Sequence, residues 1–366
     1  MNLDVLSTKN EIKGFFGEEP VLAATIRLTK GCNLRCPHCY VNAGLPLENE
    51  LTLKEIKSIV DQLAKLKVFY VFYTGGEPFI RKDIVDILNY TNKKGLGISI
   101  SSNGTLLNKE ILEKIKNIPF TLFQISLDGT KEIHDSIRGD GVWERAIKSI
   151  KLAKSILKKN VGIGTVITKR NWNITDKIIN EGVKAGADTF TLLCLILTGR
   201  ADNAQNPTPR EFLSSIKSAF NQYSLFKSKL KIAKDTTVPP ALLPKILREK
   251  GVYLTFAPCS FPYYLGINSD GSVAPCDGLF NSKEMIIGNI RENPLSEIWS
   301  KSKLLKELIK IDPADLKGVC KKCIYKDYCG GGCRAHAYIK YGDFTMPDPI
   351  CQIAYEAGFF PKECLK

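Results

Sequence analysis

The sequence contains no long apolar run, no internal repeat and no low-complexity segment. Its longest apolar runs, residues 68–73 and 190–197, are much shorter than the roughly 20 residues that a membrane-spanning helix needs. Residues 1–13 mix charged with apolar side chains and lack the continuous apolar core of a signal peptide. These absences indicate a soluble, cytoplasmic protein that has no membrane partner.

The net charge of +14 is carried mostly by lysine. Such a charge suits either an anionic partner or a surface of solvated lysines. In residues 146–159 the lysines alternate with isoleucine and leucine as on an amphipathic helix, which favours the solvated surface. No RNA-binding signature with interleaved aromatic residues is present. Nucleic acid is therefore not the expected partner, although an RNA-modifying enzyme or a zinc-knotted RNA-binding protein is kept as the alternative function.

Twelve cysteines are present, and most of them are grouped. A disulfide scaffold is not expected in a chain of this length without an export signal. Grouped cysteines in such a protein more often bind metal. Cys194 stands alone at the end of an apolar run, and we expect it to be a buried core thiol.

Short β-rich runs alternate with helical patterns through the first two-thirds of the chain. This alternation predicts a parallel sheet with right-handed crossovers, as a partial (β/α)6 TIM-like barrel or an open α/β sheet. The predicted strands cover residues 23–28, 68–73, 98–101, 120–126, 161–167 and 190–195. The helices between them begin at a capping box on Thr52 and then cover 83–94, 106–115, 143–157 and 174–185.

Three segments are predicted along the chain. Residues 1–200 form the barrel, residues 201–255 form a polar connector with a helix near 209–226, and residues 256–366 form a small, loop-rich, cysteine-rich domain held together by metal. In α/β folds of this kind the working residues follow the carboxyl ends of the strands. In this sequence a cysteine loop and several motifs that contain glycine or charged residues lie directly after predicted strands.

The first of these groups follows strand one, where Cys32, Cys36 and Cys39 are separated by three and then two residues. A cubane cluster offers four irons and usually takes four thiolates, so three thiolates leave one iron open. A structural zinc ion would want a fourth protein ligand, and His38 is too close to Cys39 to serve easily. The loop resembles that of the radical S-adenosylmethionine (SAM) superfamily. The resemblance implies that SAM chelates the open iron and that one electron cleaves a carbon–sulfur bond to give a 5′-deoxyadenosyl radical.

Further motifs follow strands two, three and four in the same order as in that superfamily. Glycines allow a ligand to approach the backbone, a glutamate can accept from an ammonium group, and an arginine suits a carboxylate. Each motif alone is ordinary turn chemistry. By resemblance, the residues that contact SAM are Tyr40, Gly75, Gly76, Glu77, Pro78, Ser102, Asn103, Ser126, Asp128 and Arg138.

The C-terminal cysteines resemble those of the SPASM domain. The resemblance implies an iron–sulfur domain with two auxiliary [4Fe–4S] clusters, and three clusters in total. The resemblance assigns one cluster to Cys320, Cys323, Cys329 and Cys351, and the other to Cys259, Cys276 and Cys333. The eighth ligand position is open, filled by substrate, or filled by Cys364. Spacing alone leaves two zinc knots as the alternative.

Three substrate classes remain open. Residues 333–338 and 348–351, with the Thr198-Gly199-Arg200 motif, resemble enzymes of alternative haem pathways, although three glycines rather than two residues separate Cys329 from Cys333. The general cysteine pattern also suits peptide maturation, although only 31 residues precede Cys32, too few for a leader-binding domain. Asp277 beside Cys276 matches the general base of sulfatase maturases. A tetrapyrrole-like, peptide or protein substrate is therefore expected, with a flavodoxin-type or ferredoxin-type electron donor.

Overall fold

A computed structural model describes residues 21–226, 231–234, 238–245 and 261–366. Ten strands form one sheet in the order β10-β9-β8-β1-β2-β3-β4-β5-β6-β7. All pairs from β8 through β1 to β7 are parallel, and β9 and β10 add antiparallel strands at one edge. The strands are β1 Ala23–Arg27, β2 Tyr70–Thr74, β3 Gly97–Ser102, β4 Leu122–Ser126, β5 Val161–Val166, β6 Thr189–Leu193, β7 Lys231–Lys234, β8 Tyr264–Ile267, β9 Ser272–Ala274 and β10 Gly288–Asn289.

Helices follow the strands as predicted, with boundaries shifted by up to three residues. Helix α4 (Lys131–Arg138) and the five helices of the C-terminal segment were not predicted; α4 has only eight residues, of which Ile133 and Ile137 alone are apolar. The described helices are α1 Leu53–Lys65, α2 Ile84–Lys93, α3 Lys109–Ile115, α4 Lys131–Arg138, α5 Val142–Leu157, α6 Thr175–Ala185, α7 Pro209–Leu225, α8 Leu295–Lys301, α9 Lys303–Lys310, α10 Lys326–Cys329, α11 Arg334–Tyr341 and α12 Pro349–Glu356. The capping box predicted at Thr52 is present, with Glu55 as its partner.

The two faces of the parallel sheet differ in polarity. Residues such as Ile26, Val71 and Phe123 pack with the helices into one large apolar core. The alternate positions of the same strands are mostly small or polar, among them Thr25, Ser99, Gln124, Gly164 and Thr191. The interior of a closed TIM barrel is normally filled by branched apolar side chains. The concave face of this sheet is therefore suited to a polar ligand rather than to a packed core.

The cysteine-rich segment begins inside the barrel sheet rather than beside it. Strand β8 pairs in parallel with β1, and Ala23 lies opposite Tyr264. This pairing is possible because Leu265 and Ile267 continue the apolar core of the barrel. In the predicted connector, α7 packs on α6, and β7 extends the sheet next to β6. The junction between the second and third predicted segments lies outside the described residues, and the three-part division stays a prediction.

Cys194 is 5% exposed within the core, which confirms its prediction as a buried thiol. Within the described ranges, no helix combines the length and the apolar character that crossing a bilayer demands.

Gly266 on β8 gives a test of how tightly the two regions join. A Cβ atom at this position would lie 2.8 Å from the nitrogen of Asp277 and 3.0 Å from its Cα. Because the clash is with backbone, we expect Gly266→Ala to lower the free energy of unfolding by about 1–3 kcal/mol. Gly44→Ala is the control, since its Cβ would meet nothing within 4 Å, and its effect should stay within about 0.5 kcal/mol. Urea denaturation of both variants measures this, and equal stabilities would contradict the close packing.

Candidate active site

The loop that carries Cys32, Cys36 and Cys39 is held against the turn that follows β2. The amide of Gly76 donates to the carbonyl of Thr29 at 2.7 Å, and the amide of Glu77 donates to that of Gly31 at 2.8 Å. A Cβ on Gly75 would lie 2.4 Å from the oxygen of Thr29, and one on Gly76 would lie 2.1 Å from that of Gly31. These glycines therefore make room for the cysteine loop, whereas the sequence suggested that they make room for a ligand.

Glu77 joins the ends of β2 and β3. Its carboxylate is fully buried and accepts from Ser102 Oγ at 2.8 Å, the Asn103 amide at 2.7 Å and the Phe79 amide at 3.1 Å. Burial raises the pKa of Glu77, and these donors act against the rise. A carboxylate offers about four lone-pair sites, so one site remains for a further donor such as an ammonium group.

Asn103 extends this connection to the cysteine loop. Its side-chain amide donates to Asn33 Oδ1 at 2.9 Å and points at Cys32 Sγ, 3.9 Å away. The end of β3 thus reaches the first cysteine, as the sequence predicted from strand order. Ser126 lies half-buried at the end of β4, and Pro78 is buried one residue after Glu77.

Arg138 and Asp128 form a buried ion pair beside the second cysteine. The Nε atom of Arg138 donates to Asp128 Oδ2 at 2.6 Å, and Nη1 lies 3.9 Å from Cys36 Sγ. Burial alone would raise the pKa of Asp128, but the guanidinium of Arg138 is the main cause that acts against burial, and the pKa lies below its usual value. Arg138, predicted to bind a carboxylate of SAM, is thus already paired with a carboxylate of the protein.

Arg200 binds the cysteine loop from the opposite side, and the sequence analysis did not assign it to the site. Its Nε donates to the carbonyl of Cys36 at 2.9 Å, its Nη1 to that of Ala43 at 2.6 Å, and its amide to that of Cys39 at 3.0 Å. Gly199 has a φ of +68°, and a Cβ there would lie 2.5 Å from the oxygens of Cys39 and Tyr40. The Thr198-Gly199-Arg200 motif, noted in the sequence only as a resemblance, is therefore a clamp on this loop.

Tyr40 connects the first cysteine loop to the C-terminal cysteines. Its hydroxyl donates to Asp277 Oδ2 at 2.9 Å, and Asp277 directly follows Cys276. Burial, followed by the charge of Asp277, raises the pKa of Tyr40. Arg27 also reaches this turn, because its Nη2 donates to the carbonyl of Asp277. The sequence did not single out Arg27, although a charged residue within an apolar strand was the available signal.

Each sulfur of the first group receives an N–H donor. Cys32 Sγ accepts from the Leu34 amide at 3.4 Å, Cys39 Sγ accepts from the Ala43 amide at 3.5 Å, and Arg138 points at Cys36. Burial raises the pKa of Cys36, and the guanidinium of Arg138 acts against the rise. Donors of this kind stabilise thiolates and are found around iron–sulfur clusters. The group therefore fits a cluster that is bound by three thiolates.

Four cysteines of the C-terminal region, Cys320, Cys323, Cys329 and Cys351, influence one another electrostatically. Burial raises the pKa of Cys351, and the further causes are Asp348 and the thiols of Cys329, Cys320 and Cys323. Burial likewise raises the pKa of Cys320 to about 12, with Cys329 as the next cause. These four thiols therefore lie near enough to interact electrostatically, and their assignment to one cluster stays a prediction.

Cys364 packs with this same group. It is 1% exposed, shares an apolar cluster with Cys323 and Cys351, and directs its Sγ at the carbonyl of Ala241, 3.8 Å away. It therefore lies beside the group that already has four cysteines, rather than beside the group that lacks a ligand.

The remaining group is only partly described. Cys276 and Cys333 belong to one apolar cluster, and Cys333 Sγ accepts from the His336 amide at 3.5 Å. Cys259, the third predicted ligand, lies outside the described residues. In the part of the chain that the structure describes, no three histidine, cysteine or acidic side chains are placed to hold a single metal ion.

Comparison with known proteins agrees with this geometry. The model of the radical SAM superfamily matches residues 26–181, and that of the SPASM iron–sulfur cluster-binding domain matches residues 259–324. An AdoMet-dependent heme synthase from Methanosarcina barkeri is 31% identical over 343 residues, which cover 88% of this chain and 94% of that relative. The chain belongs to the radical SAM superfamily and carries a SPASM domain.

Two further comparisons support the assignment. Mycofactocin maturase MftC from Mycolicibacterium smegmatis is 27% identical over 96% of this chain and 87% of its own length. The structure of Streptococcus suis SuiB bound to precursor peptide SuiA shares the fold with a TM-score of 0.73, at 18% identity over 93% of this chain and 78% of that one. The predicted family and fold class are confirmed. The protein is a radical SAM enzyme whose cofactors are SAM and iron–sulfur clusters, and the zinc-knotted RNA-binding alternative is set aside.

Because Arg200 holds the cysteine loop, its substitution should weaken the binding of the first cluster even when no substrate is present. Arg200→Lys removes the Nε donor to Cys36 and the fork that spans Cys36 and Ala43. Hydrogen bonds from charged groups contribute about 1.5–3 kcal/mol, so a chelator should remove the iron of the first cluster about tenfold faster than from the unchanged enzyme. Arg210→Lys, at an exposed arginine stacked on Phe359, is the control. Equal rates of iron loss in all three proteins would show that Arg200 does not hold the loop.

Proposed function

We propose that this enzyme cleaves SAM reductively and abstracts hydrogen from a tetrapyrrole-type cofactor precursor. The observation that carries the proposal is the loop of Cys32, Cys36 and Cys39, whose sulfurs all face N–H donors at the end of a polar concave sheet. The similarity to a relative named heme synthase, over 94% of its length, supports the substrate class.

Three [4Fe–4S] clusters are proposed, with the ligands that the resemblance assigned. When bound by Cys32, Cys36 and Cys39, the first cluster would supply the electron for the reductive cleavage of SAM. In this arrangement Glu77 has one acceptor site left for the ammonium group of SAM, and its other sites fix the turn around that site. Arg138 donates to Asp128 and points at Cys36 Sγ. Its remaining N–H groups are proposed to contact SAM.

A second space suits an apolar ligand with polar edges. A cavity of about 300 Å³ separates the end of β6 from α11 and α12. Its walls are mainly apolar, and the exposed Lys340 and the buried His336 are among its polar members. Part of a macrocycle, with an anionic substituent near Lys340, matches this distribution of apolar and polar groups. The net charge of +14 is also favourable for a substrate with several carboxylates.

Peptide maturation is the second candidate, and the Tyr40–Asp277 contact favours it. A carboxylate beside Cys276 can accept a proton from a substrate as that substrate is oxidised. Tyr40 holds one oxygen of this carboxylate at 2.9 Å, which fixes its direction. Under this candidate Asp277 is the general base. Under the first candidate it serves chiefly to position Tyr40 and Arg27.

A flavodoxin-type or ferredoxin-type protein is the electron donor we propose. The segments next to Cys323 carry exposed lysines at positions 321, 322, 362 and 366. Ile324, which follows Cys323, is 43% exposed. The amide of Lys366 donates to the carbonyl of Lys322, which brings these segments together. Such a basic surface over a cluster ligand suits an acidic electron carrier.

Iron analysis tests the cofactor assignment. After anaerobic reconstitution we expect about 12 irons and as many sulfides per chain, falling to about 8 in a Cys32/Cys36/Cys39→Ala variant. The matched control is Cys194→Ala, which removes a thiol of the barrel core and should leave about 12. A preparation that contains zinc but no sulfide would contradict the proposed auxiliary clusters. An unchanged iron content in the triple variant would contradict the proposed SAM cluster.

Product analysis tests the substrate class. The reconstituted enzyme is incubated anaerobically with SAM, a reductant and iron coproporphyrin III, and 5′-deoxyadenosine is measured against a sample without the porphyrin. We expect at least a tenfold increase together with a mass change of the porphyrin. Uncoupled deoxyadenosine alone, with the porphyrin unchanged, would reject the tetrapyrrole. Asp277→Asn should then be compared with the unchanged enzyme on peptide substrates.

A further inference from the structure

Arg27 is a buried cation that has no carboxylate partner among the residues that the structure describes. It lies at the end of β1 and is 4% exposed. Its only hydrogen bond in the described chain runs from Nη2 to the main-chain carbonyl of Asp277, and no ion pair with a described acidic side chain forms. Buried charges in proteins are almost always paired. A buried guanidinium whose only hydrogen-bond partner among the described residues is a carbonyl therefore calls for an anion that the described part of the chain does not provide.

Two aromatic rings hold this guanidinium in place. Its central carbon lies 5.1 Å from the ring centre of Tyr40 and 4.8 Å from that of Phe280. Cation–π contacts of this kind orient a guanidinium without using its N–H groups. The Nε atom accordingly remains buried without a partner. The side chain is thus fixed while part of its hydrogen-bonding fork is left unused.

Two threonine hydroxyls on the concave face of the sheet are also buried without a hydrogen-bond partner in the described chain. Thr25 Oγ1 lies two residues before Arg27 on the same face of β1, and Thr191 Oγ1 lies on β6, five strands away. Opposite Thr25, Gly266 of β8 adds no side chain to the space. Unsatisfied buried polar atoms are rare and usually indicate water or a ligand. Three of them on the concave face of one sheet indicate a polar ligand in the barrel.

We infer that Arg27 binds a carboxylate of the substrate inside the barrel, between the first cysteine loop and the turn at Asp277. Arginine suits this task because its planar fork can bind both oxygens of a carboxylate. The inference rests on the proposed function to the extent that a tetrapyrrole-type substrate carries carboxylates. It adds a residue that determines which substrates are accepted.

The position of Arg27 indicates that the bound carboxylate belongs to the substrate rather than to SAM. Of the residues that the resemblance assigned to SAM, Tyr40 contacts Arg27, whereas Ser102, Asn103 and Ser126 lie at the ends of β3 and β4, two and three strands away from β1. Its guanidinium contacts instead the turn from Asp277 to Phe280, beside the auxiliary cysteine Cys276. A carboxylate bound there would direct the rest of the molecule between the two cysteine regions, where a substrate has to lie.

The test uses reconstituted holoenzyme with Arg27→Met, Arg27→Lys and the control Arg145→Met, which removes an exposed arginine of α5. The first probe is glutarate, with sodium sulfate at equal ionic strength as the salt control. Glutarate should raise the melting temperature of the unchanged enzyme and of Arg145→Met, but not that of Arg27→Met. Equal responses of all the proteins would overturn the inference. If Arg27→Met does not fold, Arg27→Lys, which keeps the charge and loses the fork, should show a weaker response.

The second probe is coproporphyrin III, compared with its tetraamide, which keeps the macrocycle and removes the negative charges. The unchanged enzyme should bind the acid at least tenfold more tightly than the amide, and Arg27→Met should lose this preference while binding the amide as before. A preference that persists in Arg27→Met would overturn the role of Arg27. If neither porphyrin binds, the tetrapyrrole substrate is wrong, and the glutarate experiment alone decides about Arg27. SAM affinity should stay within about twofold in Arg27→Met, and a parallel tenfold loss would assign the carboxylate to SAM and overturn the inference.

Discussion

The approach of the cysteine loop to the turn after β2 is the constraint on which the rest of the site depends. Two backbone hydrogen bonds join these segments, and side chains at Gly75 or Gly76 would collide with carbonyl oxygens of Thr29 and Gly31. With the two segments in contact, Glu77 is buried and can accept from the end of β3. Asn103 then reaches Cys32. The positions of three strand ends thus follow from one contact that only glycine permits.

A second consequence concerns the relation between the two cysteine regions. Because β8 pairs with β1, the turn at Cys276 and Asp277 begins only a few residues from a strand of the barrel. Tyr40, next to Cys39, can then bond Asp277, next to Cys276. The radical-generating loop and the auxiliary region are therefore joined at Tyr40, which bonds Asp277 through its hydroxyl and accepts from Asn281 at its carbonyl, and by Arg27. A substrate that touches both regions needs to span only the space around these residues.

Much of this arrangement could be predicted from the sequence, and the rest could not for identifiable reasons. The strand order follows from periodicity, and the clustering of Cys32, Glu77, Asn103 and Arg138 follows from the rule that loops meet at the carboxyl ends of parallel strands. The hydrogen-bond partners of these side chains could not be predicted from the sequence. Glu77 and Arg138 bond to protein groups that lie 25 and 10 residues away, and nothing in local pattern distinguishes such bonds from bonds to a ligand. The pairing of β8 with β1 joins residues more than 200 positions apart and has no local signal.

The three glycines between Cys329 and Cys333 show how a departure from an expected spacing can be accommodated. Gly330, Gly331 and Gly332 all have positive φ values, so the added residue is placed in a left-handed turn rather than in a bulge. The turn is covered by the buried guanidinium of Arg334, which donates to the carbonyls of Gly331, Phe344 and Met346.

The same turn brings the Cys333 amide to Asp348 Oδ2 at 3.0 Å, while Asp348 Oδ1 accepts from the Ile350 amide beside Cys351. One buried carboxylate therefore contacts the chain next to a cysteine of each auxiliary group. The spacing that weakens the resemblance to haem-pathway enzymes leaves this link intact, because the extra residue is absorbed before Cys333. Among the described residues, Asp348 consequently connects Cys333 of one predicted group with the segment of Cys351 of the other.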